Sequence, residues 1–229
     1  MNDQYYTRDP ASASRPVPCE FDYRGKHLRF RTDSGVFSIG ELDTGTRLLL
    51  DALPEEMGGE LLDLGCGWGP VGISLKAVWP EAVVVLADVN RRALALSREN
   101  AKANGVDVTC VESDGMAAFR DRTFDAVITN PPIRAGKQVI YAMFADAAAC
   151  LRPNGALYLV IRKQQGAESC MKYLKTLYGQ VEKLDRSGGF WVLRASEPLK
   201  RDSSRGEVFS RPQSGRELED PQACETKRQ

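Results

Sequence analysis

A short apolar segment that runs into a glycine-rich turn and then into a helix opened by proline constrains the fold of this chain most strongly. The apolar segment spans residues 61–64, glycines stand at positions 65, 67 and 69, and Pro70 opens the helix. Glycines let the backbone approach a ligand closely, and the N–H groups at a helix N-terminus favour a carboxylate or a phosphate. The order strand, turn, helix therefore predicts an α/β fold with a ligand at this turn.

The glycine spacing leaves two classes of cofactor open. Gly67, Gly69 and Gly72 satisfy the dinucleotide fingerprint, and Asp88 stands at the end of the next apolar segment, where a ribose-binding acid belongs. Asp63, however, lies two residues before the first glycine of the turn. A carboxylate there suits an ammonium group and would repel a pyrophosphate, because unlike charges attract and like charges repel. Charge therefore favours a cofactor that carries an amino acid over a nicotinamide dinucleotide.

A small cluster of hydrogen-bond acceptors is predicted where Asn130, Pro131, Pro132 and Ile133 follow the apolar run 124–129. Pro131 has no N–H and biases the preceding residue to extended geometry, so we expect the side-chain oxygen of Asn130 near the carbonyl of Pro131. An exocyclic amine that gives both N–H bonds to two fixed oxygens is favoured to become pyramidal, which frees its lone pair to attack an electrophile. We call this pair of acceptors an amine trap. Asn-Pro is also a common turn dipeptide, so a functional role for the trap requires support from the rest of the chain.

Polar groups close four successive predicted strands, at Asp63, Asp88, Asp114 and Asn130. In an open α/β sheet, ligands bind at the carboxyl ends of the strands, so these four turns are expected to share one crevice. Helices alternate with the strands, which indicates a parallel sheet. The predicted helices span about 44–53, 70–78, 90–104, 139–151 and 167–178. Residues 156–161 predict a further strand, and 181–184 with 190–193 a closing hairpin.

Taken together, these segments resemble the class I S-adenosylmethionine-dependent methyltransferases, and within them the small-domain group related to bacterial 16S ribosomal RNA guanine N2 methyltransferases. The resemblance covers most of residues 5–195 and is carried by the glycine turn together with residues 5–7, 33–38, 43–50 and 130–137. It implies a Rossmann-like, seven-stranded, mostly parallel sheet with helices on both faces and an antiparallel last strand. It also implies S-adenosylmethionine as the cofactor.

The resemblance implies a role for each group of residues. The segment from Asp63 to Gly69 would hold the methionine part, Asp88 the ribose hydroxyls, Asp114 the adenine amine, and Asn130 with Pro131 the target amine. The candidate cofactor-binding residues are Asp63, Gly65, Cys66, Gly67, Trp68, Gly69, Asp88, Val89, Asn90, Ser113, Asp114, Gly115 and Asn130. The candidate catalytic residues are Asn130, Pro131, Pro132 and Ile133.

Ile133 departs from the pattern of better-known members of the superfamily, which place an aromatic residue after the two prolines to stack on the target base. Such stacking is worth roughly 1 to 3 kcal/mol, so Phe37, Trp68 or Tyr141 is a candidate to supply it from elsewhere in the chain. The predicted substrate-binding residues are Phe37, Arg134 and Lys137.

The overall charge does not announce a nucleic-acid binder, since 31 basic residues balance 31 acidic ones. Contact with ribosomal RNA or the small ribosomal subunit, which the resemblance implies, would have to be local. In residues 26–31, Leu28 and Phe30 are predicted to face the core and His27, Arg29 and Arg31 to face outward. Together with these residues, five further cations could bind RNA phosphates. They are Arg24, Arg134, Lys137, Arg162 and Lys163. A solvated strand face with scattered surface charge accounts for the position of each residue equally well.

Residues 1–25 are predicted to be a lead-in, 26–197 the methyltransferase domain, and 198–229 a disordered tail. Thirteen of the thirty residues from Lys200 onward are charged, and the few apolar ones can bury too little surface to offset the entropy lost when the chain is ordered. The six cysteines lack metal-ligand spacing, so no metal site is expected. No apolar stretch approaches the roughly 18 residues of a membrane span. We therefore expect a cytoplasmic protein without a membrane segment, with a monomer favoured.

The expected activity is methylation of the exocyclic N2 amine of a guanine in ribosomal RNA, and three alternatives stay open. A protein glutamine N-methyltransferase would use the same Asn-Pro-Pro trap on a side-chain amide. A non-catalytic module for ribosome assembly would use the fold as a scaffold that binds cofactor or RNA. A nicotinamide oxidoreductase is permitted by the glycine spacing but leaves Asn130 without a use.

Overall fold

The computed structural model describes residues 7–199, which contain nine strands and five α-helices. The strands are β1 (Val17–Tyr23), β2 (Lys26–Thr32), β3 (Glu60–Leu64), β4 (Val83–Asp88), β5 (Thr109–Glu112), β6 (Phe124–Thr129), β7 (Leu151–Arg162), β8 (Tyr178–Asp185) and β9 (Phe190–Pro198). The helices are α1 (Thr44–Ala52), α2 (Pro70–Val78), α3 (Arg91–Ala103), α4 (Lys137–Ala149) and α5 (Ala167–Leu174). The predicted tail lies outside the described residues from position 200 onward.

Seven strands form one sheet in the order β5-β4-β3-β6-β7-β9-β8. The strands from β5 to β7 are all parallel, whereas β9 is antiparallel to both of its neighbours, β7 and β8. This confirms the predicted mostly parallel sheet with an antiparallel last strand. The chain moves outward from β3 through β4 to β5 and then returns to the other side of β3 with β6, which makes β3 and β6 the point where the strand order reverses. Ligands bind at such a point in open α/β sheets.

The sheet buries an apolar layer on each face, because neighbouring residues of a strand point to opposite sides. In β3, Leu61 belongs to the cluster under α1, α2, α3 and the β1–β2 hairpin, and Leu62 to the cluster under α4 and α5. In β6, Ile128 and Val127 divide in the same way, and both are fully buried. Each such side chain stabilises the fold by roughly 1.5–3 kcal/mol relative to exposure, so the two layers hold the strand ends in place.

Strands β1 and β2 pair along their whole length in an antiparallel hairpin that packs on the first of these layers. Leu28 and Phe30 are buried as predicted, and Phe30 stacks on Phe21 of β1 at 4.9 Å between ring centroids. The predicted boundary at residues 25 and 26 therefore falls in the turn of a hairpin. Residues 17–25 pack with the chain that follows them.

The outward face of the hairpin is not a basic surface. Glu20 of β1 lies opposite Arg29 of β2, and Asp22 lies opposite His27. Arg29 Nε lies 3.7 Å from Glu20, and His27 Nδ1 lies 2.8 Å from Asp22. The sequence-based expectation considered β2 without its partner strand. Acidic residues of β1 therefore lie opposite two of the three β2 residues that were expected to face phosphates, whereas Arg31 lies opposite Pro18.

The helices near the chain's second half end earlier than predicted. The helix predicted to reach residue 151 ends at Ala149, and the one predicted to reach residue 178 ends at Leu174. In both places the following strand begins with a buried apolar residue, Leu151 or Tyr178, that also fits the apolar spacing of the preceding helix.

No helix among residues 7–199 combines the length and apolarity that crossing a membrane requires.

Candidate active site

A cleft of about 2040 Å³ opens over the carboxyl ends of β3, β4, β6 and β7. Pockets for one drug-sized ligand are about 300–1000 Å³, so this cleft has room for two such molecules side by side. It is lined by Asp63, Gly65, Cys66, Gly67, Trp68, Asp88, Val89, Ser113, Asp114, Gly115, Asn130, Pro131, Pro132, Ile133, Phe37, Arg134 and Lys137. Of the candidate site residues, Gly69 and Asn90 do not line it.

The glycine turn presents bare backbone to the cleft. Gly65 and Gly67 have φ of +74° and +56°, and a Cβ added at either would meet no atom of residues 7–199 within 4 Å. Gly69 has a different role, because at its φ of +90° a Cβ would lie 2.7 Å from Cδ1 of Ile73. Gly65 and Gly67 thus form an open cradle, whereas Gly69 lets α2 begin against the core.

Asp63, at the carboxyl end of β3, is almost fully buried at the floor of the cleft. Its Oδ2 accepts a hydrogen bond from the backbone N–H of Gly72 at 2.8 Å. Burial raises the pKa of this carboxyl to about 7, and the negative charge of Asp88 adds to that rise, whereas the Gly72 hydrogen bond opposes it. A cation placed beside Asp63 would restore the charged form, which is the electrostatic match that an ammonium group needs.

Asp88 closes β4 and orients the glycine turn. Its Oδ2 accepts from Gly67 N at 2.8 Å, and its Oδ1 accepts from Asn90 N at 2.8 Å. Burial raises the pKa of Asp88 despite these hydrogen bonds. Each carboxylate oxygen can accept a second hydrogen bond, so the backbone contacts fix the carboxylate and leave capacity for a pair of hydroxyl donors.

Asn90 is a helix cap behind the cleft. Its Oδ1 accepts from Arg92 N at 2.9 Å and from Ala93 N at 3.1 Å, which caps α3. Its Nδ2 donates to Gly35 O at 2.8 Å. The predicted helix cap is confirmed, and the fully buried side chain of Asn90 ties the 33–43 loop to the start of α3.

The turn after β5 is shaped by Ser113, whose Oγ donates to Gly115 O at 2.8 Å and accepts from Ala118 N at 3.2 Å. Both contacts stay within the turn, so the Ser113 hydroxyl is a structural group. Asp114 is exposed in the cleft wall. The carboxylate that was predicted to bind an adenine amine is therefore accessible from the cleft.

The side-chain amide of Asn130 is held by the N-terminus of α1. Nδ2 donates to Asp43 Oδ2 at 3.1 Å and to Thr46 Oγ1 at 2.9 Å. Both hydrogen bonds are made by Nδ2, so neither of these two acceptors is bonded to Oδ1. Sequence analysis missed Asp43 and Thr46 as site residues, although an Asp three positions before a Thr at a helix start is a capping signal.

Two of the three aromatic residues proposed to stack on a base are already engaged. Trp68 is 1% exposed, and its Nε1 donates to Phe37 O at 2.9 Å and to Ser38 O at 3.1 Å, so its ring belongs to the core. Tyr141 stacks on Tyr173 at 4.1 Å. Phe37 is 37% exposed and lines the cleft. Of the three, Phe37 is the one with an exposed side chain in the cleft.

The cations proposed to track phosphates separate into two groups. Arg134, Lys137 and Arg162 line the cleft, and the guanidinium carbon of Arg162 lies 4.6 Å from the ring centroid of Phe190. Arg24 instead donates to the carbonyls of residues 53 and 54 and lies over the ring of Trp79. Three of these cations therefore lie at the cleft, where carboxylates such as Asp114 and Asp146 also line the wall, whereas Arg24 and Lys163 do not line it.

Comparison with known proteins agrees with this geometry. A sequence model of the family "Methyltransferase small domain" matches residues 27–194. The YbxB protein of Bacillus subtilis (strain 168), which is uncharacterized, is 40% identical over 200 residues that cover 86% of this chain and 100% of that protein. Ribosomal RNA small subunit methyltransferase C of Hahella chejuensis (strain KCTC 2396) is 44% identical over 140 residues, 59% of this chain and 41% of that enzyme.

A solved structure is similar over most of the chain. The T. thermophilus 16S rRNA N2 G1207 methyltransferase, in complex with AdoMet and guanosine, superposes with a TM-score of 0.72 at 28% identity. The match covers 81% of this chain and 51% of that one. The chain thus spans about half or less of the length of these two ribosomal RNA methyltransferases, and the whole length of the Bacillus subtilis protein.

Proposed function

The chain belongs to the methyltransferase small domain family, and on that premise we propose that it methylates the exocyclic N2 amine of a guanine in ribosomal RNA. S-adenosylmethionine is the cofactor. The observation that carries the proposal is the fixed amide of Asn130, whose Nδ2 is bonded to Asp43 and Thr46 and whose Oδ1 is left for a ligand. The guanosine and AdoMet in the T. thermophilus relative support both the amine and the cofactor.

The cleft residues fit S-adenosylmethionine. The bare backbone at Gly65 and Gly67 accepts the close approach of a ligand, and a Cβ at either position would enter the space that the cofactor needs. In the proposed arrangement Asp63 binds the ammonium group and Asp88 binds the ribose hydroxyls. Asp114, exposed in the wall, binds the adenine amine. When bound, the cofactor supplies a methyl group that its sulfonium has already activated.

The chain's own residues then have to align an amine and accept hydrogen bonds from it. Asn130 Oδ1 and the carbonyl oxygen of Pro131 accept the two N–H bonds of the target amine, which directs the nitrogen lone pair along the line of displacement. The nitrogen–carbon bond forms as the carbon–sulfur bond breaks, and the nitrogen then loses one proton to water. Such alignment contributes roughly 7–11 kcal/mol, and the two oxygens stabilise the positive charge that develops on nitrogen.

In the proposed arrangement, contacts with RNA come from three cations that line the cleft and from one aromatic ring. Arg134, Lys137 and Arg162 neutralise phosphates next to the target nucleotide, and Phe37 takes the stacking role that an aliphatic Ile133 cannot fill. The proposal needs no net positive charge, because three local cations match the few phosphates beside one flipped base.

The test is transfer of label from methyl-labelled S-adenosylmethionine to naked ribosomal RNA, to isolated ribosomal subunits and to a protein extract, followed by nucleoside analysis. We expect label in N2-methylguanosine with the wild type and none with Asn130→Ala. The matched control is Asn154→Ala, since Asn154 is an exposed asparagine at the opposite end of β7. Label confined to protein would instead identify a glutamine methyltransferase, and equal transfer by Asn130→Ala would refute the amine trap.

A further inference from the structure

We propose that Asp43 and Thr46 are positioning residues that lock the side-chain amide of Asn130 in the one orientation that allows methyl transfer. This inference rests on the proposed function and adds two residues that do not touch the target amine. Both line the same cleft as Asn130, and both accept a hydrogen bond from its Nδ2.

The need for a lock follows from the shape of an amide. Its oxygen and its NH₂ group are nearly equal in size, so a rotation of half a turn exchanges an acceptor for a donor at no steric cost. In the rotated state, Asn130 would present N–H bonds to the N–H bonds of the target amine, and the trap would repel its substrate. A carboxylate oxygen only accepts hydrogen bonds, so Asp43 at 3.1 Å permits Nδ2 and excludes Oδ1. Thr46 Oγ1, at 2.9 Å, accepts a hydrogen bond from the second N–H of Nδ2.

The two acceptors are themselves held by the helix that they begin. Asp43 is the N-cap of α1, and the same Oδ2 atom accepts from Thr46 N at 3.0 Å. Gly45 lies between them and packs so closely on Phe190 that an added Cβ would be 2.9 Å from Cε1 of the ring. Thr46 is buried at the same time. The helix end therefore has little freedom, and neither has the amide bonded to it.

The charge of Asp43 gives the lock a second effect. A carboxylate that accepts a hydrogen bond from an amide N–H polarises the amide, so that its carbonyl oxygen becomes a better acceptor. The oxygen in question is Asn130 Oδ1, which faces the amine on which positive charge develops. Asp43 thus acts on the transition state through Asn130, without contact with the RNA.

Asp43 also has an ordinary structural role as a helix cap, and the variants must separate the two. Asp43→Ser keeps a good N-cap residue but removes the carboxylate that reaches Asn130. Thr46→Val is nearly the same size as threonine and removes only the hydroxyl acceptor, whereas Thr46→Ser retains that hydroxyl. Melting temperature reports the cap, and calorimetry with S-adenosylmethionine reports the cofactor half of the cleft.

We expect Asp43→Ser and Thr46→Val each to lower kcat about tenfold, the ratio that corresponds to the removal of one hydrogen bond of about 1.4 kcal/mol. The double variant should lower kcat by about a hundredfold if the two hydrogen bonds act independently. The Kd for S-adenosylmethionine should stay within about twofold of the wild type, since Asp63 and Asp88 are unchanged. Thr46→Ser should restore the wild-type rate. A double variant that transfers methyl groups at the wild-type kcat would overturn the proposal.

A second measurement does not depend on activity. In the wild type, the two Nδ2 protons of Asn130 should give separate NMR signals with slow solvent exchange, because each is bonded to a buried or partly buried acceptor. In the double variant we expect fast exchange. Unchanged protection would contradict the lock, even if the rate fell. If the wild type modified no RNA at all, the proposed function would fail on its own, and the exchange measurement would still decide whether the amide is locked.

Discussion

Asn130 shows how far a single residue can be understood from sequence. Its place after an apolar run and before two prolines predicted a polar group at the end of a strand, and the structure has it in the cleft. Its partners, Asp43 and Thr46, lie 87 and 84 positions away along the chain. Hydrogen bonds between residues so distant are set by the packing of α1 on the sheet, and local patterns do not encode that packing. The role of Asn130 stays a prediction until transfer is measured.

Asp63, the proposed partner of the ammonium group, is expected to set the pH range of cofactor binding. Because its carboxyl has a pKa of about 7 in the free protein, the negative charge that attracts the ammonium group is lost as pH falls through 7. We expect the affinity for S-adenosylmethionine, measured by calorimetry, to fall as pH is lowered through about 7. In Asp63→Asn this loss of affinity at low pH should disappear. A loss that persisted in the variant would show that another group causes it.

The same carboxyl makes the cofactor-free protein less stable at high pH. Its pKa is raised from 3.8 to about 7 on folding, so the folded state binds a proton that the unfolded state releases. That contribution is fully present below the unfolded value and is lost as pH rises through about 7. We expect the melting temperature of the free protein to decline across this range and the decline to be smaller in Asp63→Asn. An identical pH profile for both proteins would contradict the assignment.

Asp88 is expected to matter for binding in two ways. It is proposed to hold the ribose hydroxyls, and it fixes the glycine turn through Gly67 N. Asp88→Ala removes both interactions, so we expect the Kd for S-adenosylmethionine to rise by about tenfold or more, which corresponds to the removal of roughly two hydrogen bonds. An unchanged Kd in calorimetry would refute the role, and Glu112→Ala, which removes an exposed carboxylate at the end of β5, is the control.

At the scale of elements, the glycine turn between β3 and α2 combines two demands that can be separated by substitution. Gly69→Ala places a Cβ 2.7 Å from Ile73 and 3.1 Å from Ser97, at a left-handed φ, so we expect unfolding free energy to fall by about 2–4 kcal/mol. Gly67→Ala meets no protein atom and should cost only about 1–2 kcal/mol for its positive φ. Its main effect should fall on cofactor binding.

Denaturant unfolding and calorimetry on the two variants distinguish these effects. Gly58→Ala is the control, because its Cβ meets no atom within 4 Å and its φ is not in the left-handed region. Equal loss of stability in Gly69→Ala and Gly67→Ala would contradict the division of the turn into a packed glycine and an open one.

Elements with strong local signals were predicted well, and their partners were not. Pro70 and the cap at Asn90 place the starts of α2 and α3 where the structure has them. Strand β1 has the same alternation as β2, with Cys19, Phe21 and Tyr23 buried, yet it was assigned to the lead-in. The polar and proline-containing residues before it hid a pattern that only pairing with β2 makes evident.

At the scale of the whole molecule, binding of RNA by a chain with no net charge must depend on where the cations lie. We expect Lys137→Ala with Arg162→Ala to weaken RNA binding and to flatten its salt dependence, by about 0.7–0.9 in log–log slope for each phosphate that is no longer neutralised. The double variant of Arg29 and Arg31 to alanine is the control, because that hairpin face also carries Glu20 and Asp22. A hairpin variant with the larger effect would move the RNA surface away from the cleft.

The parallel character of the sheet followed from the alternation of apolar runs and helices, and its seven strands were implied by the family resemblance, but the order of the strands did not follow from the alternation. Placing β6 beside β3, and β9 between β7 and β8, requires contacts between segments far apart in the chain. The family resemblance implied the antiparallel last strand, whereas the residues of β9 by themselves predicted no more than a hairpin with β8. The cleft depends on that order, since it brings Asp63 and Asn130 to adjacent strand ends.

The insertion of β9 between β7 and β8 has a consequence for how the protein matures on the ribosome that makes it. β8 has no partner in the sheet except β9, so it cannot dock until β9 has left the exit tunnel. Strand β9 also carries Phe190, whose ring lies beneath the guanidinium of Arg162 and packs against the start of α1. The nascent chain can therefore assemble the glycine turn and its two acids early, while the surface proposed to grip RNA is completed last. A newly made enzyme would acquire its donor pocket before it could engage any transcript.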